Sequence, residues 1–193
     1  MTMFVLTLAL FLGVDKSFGF EIGRRNFVYG VPLATVVASN QPVFAAEIAA
    51  CKKGANNCWS TASVDKNKID AWTWPAGTSR TDAIKSLKKT VEAYPQEGQS
   101  GVDLGGWSYA DGALDEGYAR LEFKSGIGNF AKFFNNGKPF IDDLELAVGP
   151  DSVSIKSASR VGDSDFNVNA KRLNYIAASL REQGWSAPEI PIK

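Results

Sequence analysis

Two segments of the chain repeat their apolar residues at helical spacing, and the stretch between them alternates like a strand. Ile84, Leu87, Val91 and Tyr94 fall on one helical face. Ser79 is placed to cap this helix, with Asp82 three residues on, and Pro95 stops it. A second helix is expected from about Asn167 to Gln183, with Leu173, Ile176, Ala177 and Leu180 inward and Gly184 as its stop. Between them, Ala119, Leu121 and Phe123 alternate with Tyr118, Arg120, Glu122 and Lys124, the period of a strand buried on one face. Val102–Ala110 and Ala113–Lys124 flank Asp111-Gly112, a two-residue hairpin signal. Phe140–Val148 and Val153–Ser157 flank a Gly149-Pro150-Asp151 turn. Ile69–Trp74 reads as a short strand ending at Pro75, whereas Ala46–Ser63 reads as irregular and 185–193 as an extended tail. The order strand, helix, four strands, helix gives an α+β two-layer sandwich. A meandering antiparallel sheet of about five strands would carry two helices on one face.

The apolar pattern before residue 46 is of another kind. Met3–Val14 is an apolar run ending at Ser17-Phe18-Gly19 before Phe20, as in a secretory signal. Arg24-Arg25 then precedes a second apolar run, Val31–Ala38, and a second small-residue site at Val43–Ala46. Neither run reaches the roughly 18–20 apolar residues of a spanning helix. Two export signals in series, a Phe after the first and a twin arginine before the second, resemble the leader of a thylakoid-lumen protein in algae with complex plastids, such as diatoms. Residues 1–45 are therefore expected to be a cleaved targeting leader and 46–193 a single domain. The expected location is the plastid, in the thylakoid lumen, soluble or peripheral at the membrane.

Composition narrows the chemistry. Lysine and arginine together number 21, as do aspartate and glutamate. Removing Lys16, Arg24 and Arg25 with Asp15 and Glu21 leaves the mature chain near −1, with no basic excess for nucleic acid. The chain has no histidine, which removes His-based triads, His-ligated metals and the usual general base near neutral pH. Cys51 and Cys58 are too few for a structural zinc site, and their spacing is not Cys-x-x-Cys. The spacing suits a small disulfide loop in an exported protein. A redox-switched pair and free thiols are the other readings. No metal, cofactor or catalytic residue is assigned.

Three segments are candidates for a site. In the strand Phe140–Val148, Asp142 shares the inward face with Leu144 and Leu146. A buried carboxylate needs a partner, and Arg160 and Arg172 are the expected ones, as a structural ion pair. An acid/base site is the weaker reading. The polar run 157–169 offers Ser157, Ser159, Arg160, Asp165 and Asn169 for a ligand. Free N–H groups at the following helix could hold an anion there, or the run could simply cap the helix. The spacing is not that of an EF-hand loop. Phe130, Phe133 and Phe134 lie in a long glycine-flanked connection. They could meet a membrane, grip a partner, mouth an apolar pocket, or fold back over the core edge.

Asp142-Asp143, the run Ser157-Ala158-Ser159-Arg160-Val161-Gly162, Ser164-Asp165, Val168-Asn169 and Lys171-Arg172 resemble the signature of the domain-of-unknown-function 1499 family. Cys51 with Asn57-Cys58, and Tyr118, Glu122, Phe123 and Ser125, extend the likeness over nearly all of 46–193. Asp163 stands where the family often has an aromatic residue, and the Phe130–Phe134 connection is longer than in many bacterial members. The resemblance implies an exported or membrane-associated domain with no established reaction. The expected function is a non-enzymatic lumen accessory protein that binds or helps assemble a photosynthetic membrane complex, its partner a photosystem or an assembly factor. The alternative is a carrier of a small apolar molecule (lipid, quinone or pigment), which predicts an enclosed apolar cavity and which a filled core would sink. The third reading is an enzyme with a carboxylate–arginine site around Asp142, Arg160 and Asp165, open to a cleft.

Overall fold

The strongest alternation in the sequence becomes the centre of the sheet. A computed structural model describes residues 46–192, without the side chains of 129–131; the expected leader lies outside the described residues. Strand β4 (Tyr118–Lys124) buries Ala119, Leu121 and Phe123 completely. β5 (Ile141–Val148) pairs with it, and β6 (Ser152–Ser159) pairs with β5, all antiparallel. β3 (Trp107–Ala113) lies along the free side of β4 as a largely exposed edge. β1 (Cys58–Ser60) and β2 (Trp72–Thr73) share the outer side of β6, end to end, giving a six-stranded antiparallel sheet. Helices α1 (Arg80–Glu92) and α3 (Val168–Glu182) pack their apolar faces with the inner face of the sheet into one core. This is the expected α+β sandwich, with one strand more than the pattern indicates and a short helix, α2 (Asn129–Phe134), between β4 and β5. Among the described residues, no helix is long and apolar enough to cross a membrane.

Local chemistry explains the helix ends. The Ser79 hydroxyl accepts from the Asp82 N–H at 3.1 Å and donates to its carboxylate at 2.7 Å, closing the α1 cap. Arg80 donates to the Val148 and Gly149 carbonyls, which ties the start of α1 to the β5–β6 turn. At α3, Asn167 sits at φ 64° and its side chain makes no cap bond. Asp165 does that work: its carboxylate accepts from the N–H groups of Asn167 and Asn169 at 3.1 and 2.9 Å, and its carbonyl accepts from Val168.

Two expectations change. Asp111-Gly112 is not the hairpin turn but part of β3, where the register slips between Tyr109 and Asp111 and Gly112 takes φ +65°. The chain reverses at a 3₁₀ turn, Leu114–Glu116, closed by Gly117 at φ +91°. Burial of Leu114 against the core decides this, because a turn at Asp111 would leave that side chain outside. The segment expected to be irregular contains β1. Its three residues are all buried, so they show no alternation. Asn67 holds the loop beyond β1, donating to the carbonyls of Ala55 and Cys58. Cys51 and Cys58 form a disulfide, the pairing that both the structural and the redox-switched readings expect.

Leu144, fully buried in β5, is expected to lose about 2–5 kcal/mol of stability on substitution by alanine. Ser108→Ala, on the exposed edge, is expected to change it by less than about 0.5 kcal/mol. Urea denaturation of the two variants measures the difference.

Candidate functional site

At one end of the sandwich the inner face stops being apolar. The row Leu121, Leu144, Ser157 is followed by the row Phe123, Asp142, Ser159. On the helix above, Asn169 and Arg172 stand one turn apart before the apolar run begins at Leu173. The polar end of the helix thus meets the polar end of the sheet.

Arg172 is completely buried there, and all five of its N–H groups are used. Nε and Nη2 donate to Asp103 at 2.8 and 2.5 Å, and Nη2 also donates to Asp142 Oδ2 at 2.6 Å. Nη1 donates to Asn169 Oδ1 at 2.7 Å and to Ser157 Oγ at 3.1 Å. The guanidinium lies 4.4 Å from the centre of the Phe123 ring. Burial opposes its charge, but the Asp103 and Asp142 carboxylates outweigh that and raise its pKa above the ordinary value. Tyr94 donates to Asp103 Oδ2 at 2.6 Å. Burial, and then the Asp103 charge, push the Tyr94 hydroxyl far above the tyrosine range, so it stays a donor. Asn169 also donates to Ser159 Oγ, the Asn57 carbonyl and Asp165.

A cavity of about 660 Å³ opens beside this cluster. Val102, Phe134, Phe140, Val161, Phe166 and Val168 give it apolar walls. Asp103, Asp142, Ser159 and Asp165 contribute its polar part, and these three aspartates are all buried. Of the candidate aromatics, Phe134 lines the cavity and is 70% exposed, while Phe133 is 87% exposed. These two rings do not fold back over the core. The side chain of Phe130 lies outside what is described. The polar run and the aromatic connection, distant in sequence, therefore meet at one opening.

Arg160 is a correction. It does not pair with Asp142; it bonds Asp143 at 2.8 Å and also contacts Glu122 on the outer face of the sheet. The reason is strand parity: Ser157 and Ser159 point inward from β6, so residue 160 points out. The hydrogen bonds it donates to Asp143, then to Glu122, raise its pKa. Burial alone would raise the Asp143 pKa, but Arg160 and Arg120 together lower it. At the helix N-terminus the capping reading holds, since Asp165 takes the N–H groups of Asn167, Val168 and Asn169.

Asp103 was not among the sequence candidates. It lies in a turn-rich stretch with no period, at φ +57°, a conformation aspartate tolerates better than most residues. Gly98 makes that turn. At φ +75°, a Cβ there would come within 2.1 Å of the Val102 carbonyl oxygen. The only sequence sign was an acid inside a glycine cluster following the first helix.

Arg172→Ala is expected to cost about 3–5 kcal/mol, because it strands two buried carboxylates. Arg160→Ala, on the solvent face, is expected to cost no more than about 1 kcal/mol. Thermal or urea unfolding separates the two.

No curated protein matches the chain. The family described as "Protein of unknown function (DUF1499)" matches residues 47–180, from before β1 to near the end of α3. The chain, with Asp142, Ser157, Asn169 and Arg172 inside the matched span, belongs to the DUF1499 family.

Proposed function

We propose that this protein is a non-enzymatic binding protein of the thylakoid lumen that holds a small molecule with a large apolar part. The observation that carries the reading is the cavity of about 660 Å³ with apolar walls and buried polar groups. Its volume and lining are those of a small-molecule site. An enclosed cavity between sheet and helices was expected for a carrier. That interface is filled by residues such as Leu121, Leu144, Leu173 and Ile176, and the cavity opens at the end of the sheet instead. The lumen location rests on the leader pattern of residues 1–45 alone. An enzymatic reading would have to use Asp142 and Asp165 without Arg160.

The neutral, apolar dye N-phenyl-1-naphthylamine is expected to bind saturably at one site per chain. Phe134→Ser removes one apolar wall and is expected to weaken binding about tenfold. A fluorescence titration checks this; a signal that never saturates would remove the cavity as a site.

A second reading keeps the protein as an accessory of a photosystem or an assembly factor. It is favoured by Phe133, Phe134, Val161 and Phe166, exposed on and beside the cavity mouth. Clusters of exposed apolar side chains commonly mark contact sites. On this reading, protein tagged at its C-terminus and isolated from mildly solubilised thylakoids carries photosystem subunits or assembly factors in stoichiometric amount. The double variant Phe133→Ser, Phe134→Ser loses them; migration as a lone monomer counts against the reading.

A further inference from the structure

The hydrogen-bonding groups around the cavity define what kind of head a bound molecule can have, given that the cavity is a ligand site. The Arg172 guanidinium, the Asn169 amide and the first N–H groups of α3 are already used. Arg172 spends all five N–H groups on Asp103, Asp142, Ser157 and Asn169. Asn169 gives its side-chain N–H groups to Asp165, Ser159 and the Asn57 carbonyl. The N–H groups of Asn167, Val168 and Asn169 go to Asp165. No lysine or arginine lines the cavity among the described residues.

An acceptor remains. Asp142 is only 7% exposed and gives Oδ2 to Arg172, but no donor among the described residues reaches its Oδ1. Asp142 lines the cavity, and its Oδ1 keeps solvent contact there, free to accept a hydrogen bond. Charge points the same way. Asp103 and Asp142 share one guanidinium, which leaves the cluster with a net negative charge, and Asp163 and Asp165 also line the opening.

We propose that the cavity takes an amphiphile whose head donates hydrogen bonds and carries no negative charge, with the head against Asp142 and Ser159 and the apolar body between Phe134, Phe140, Phe166 and Val168. A protonated amine suits the site best, and a hydroxyl is next. A fatty-acid carboxylate or a phosphate head would face these aspartates with no lysine or arginine in the described lining to balance them, and is disfavoured.

The test is competition against bound N-phenyl-1-naphthylamine at neutral pH by three molecules of eight carbons each with different heads: n-octylamine, 1-octanol and octanoate. Octylamine is expected to displace the dye best, with octanoate weaker by about tenfold or more. Asp142→Asn is expected to shrink the amine-to-acid ratio about fivefold, while Glu97→Gln, exposed and outside the cavity lining, leaves it within about twofold. Octanoate binding as well as octylamine would overturn the head-group inference while leaving the cavity a ligand site. So would equal loss of the ratio in both variants, which would make the preference a diffuse field. Absence of saturable dye binding would remove the site itself. If Asp142→Asn does not fold, amide shifts of the unsubstituted protein decide: octylamine is expected to move Asp142 and Ser159, and changes confined to Phe133 and Phe134 would overturn the placement.

Discussion

Arg172 has no exposed surface, and the side chains that neutralise and bond it come from four other places in the chain. Asp103 arrives from the turn after α1, Asp142 from β5, Ser157 from β6 and Asn169 from the preceding turn of α3. Tyr94, just past the end of α1, holds Asp103 from behind. Moving a guanidinium and two carboxylates out of water is expensive, so the cluster adds less net stability than its short distances suggest. What it adds is a strong penalty for any arrangement that leaves one member unpaired. A helix that slid one turn along the sheet would lose the four bonds of Arg172 that reach outside α3. The apolar core holds the layers together, and the ion cluster fixes how they are set against each other.

The same cluster explains why a cavity lies where it does. Leu121, Leu144, Leu146 and Ile155 are fully buried under the helices. One row further on, the inner face becomes Phe123, Asp142 and Ser159. Apolar side chains cannot continue the core over a carboxylate without stranding it, so close packing ends there. The polar loop 161–167 and the short helix α2 rise on either side and leave a walled opening rather than a flat surface. The cavity is the boundary of the core, and its mixed lining follows from that position.

Periodicity made much of this legible. The apolar faces of α1 and α3, the alternation of β4, and the inward placing of Asp142 all follow from spacing of 3.6 or 2 residues. So, in principle, did the outward placing of Arg160, which lies an odd number of residues from the inward Ser157. Nearness in sequence offers both Arg160 and Arg172 to Asp142, and the strand period carried through to residue 160 leaves Arg172 alone. Asp103 and β1 were hidden for a different reason. Asp103 reaches Arg172 through a run of turns, at residues 98–106, whose path depends on glycine conformation rather than on any pattern. β1 is buried at every residue and is too short for a period to appear.

The aromatic connection shows how far sequence chemistry alone can reach. Three phenylalanines in a glycine-flanked stretch suggested a membrane, a partner, a pocket mouth or a covering for the core. Exposure of Phe133 and Phe134 removes the last for those two rings. Phe134 on the cavity wall, opposite Val161 and Phe166, connects the stretch to the polar run that precedes α3. A purely apolar surface at that position would suit contact with a membrane or a flat partner equally well. A carboxylate set deep behind it, with one oxygen unoccupied by any donor among the described residues, suits neither, because a flat surface cannot reach a group that is 7% exposed. A slender molecule with a donor at one end can, and the depth of Asp142 behind an apolar rim is therefore the feature that separates a small ligand from a broad interface.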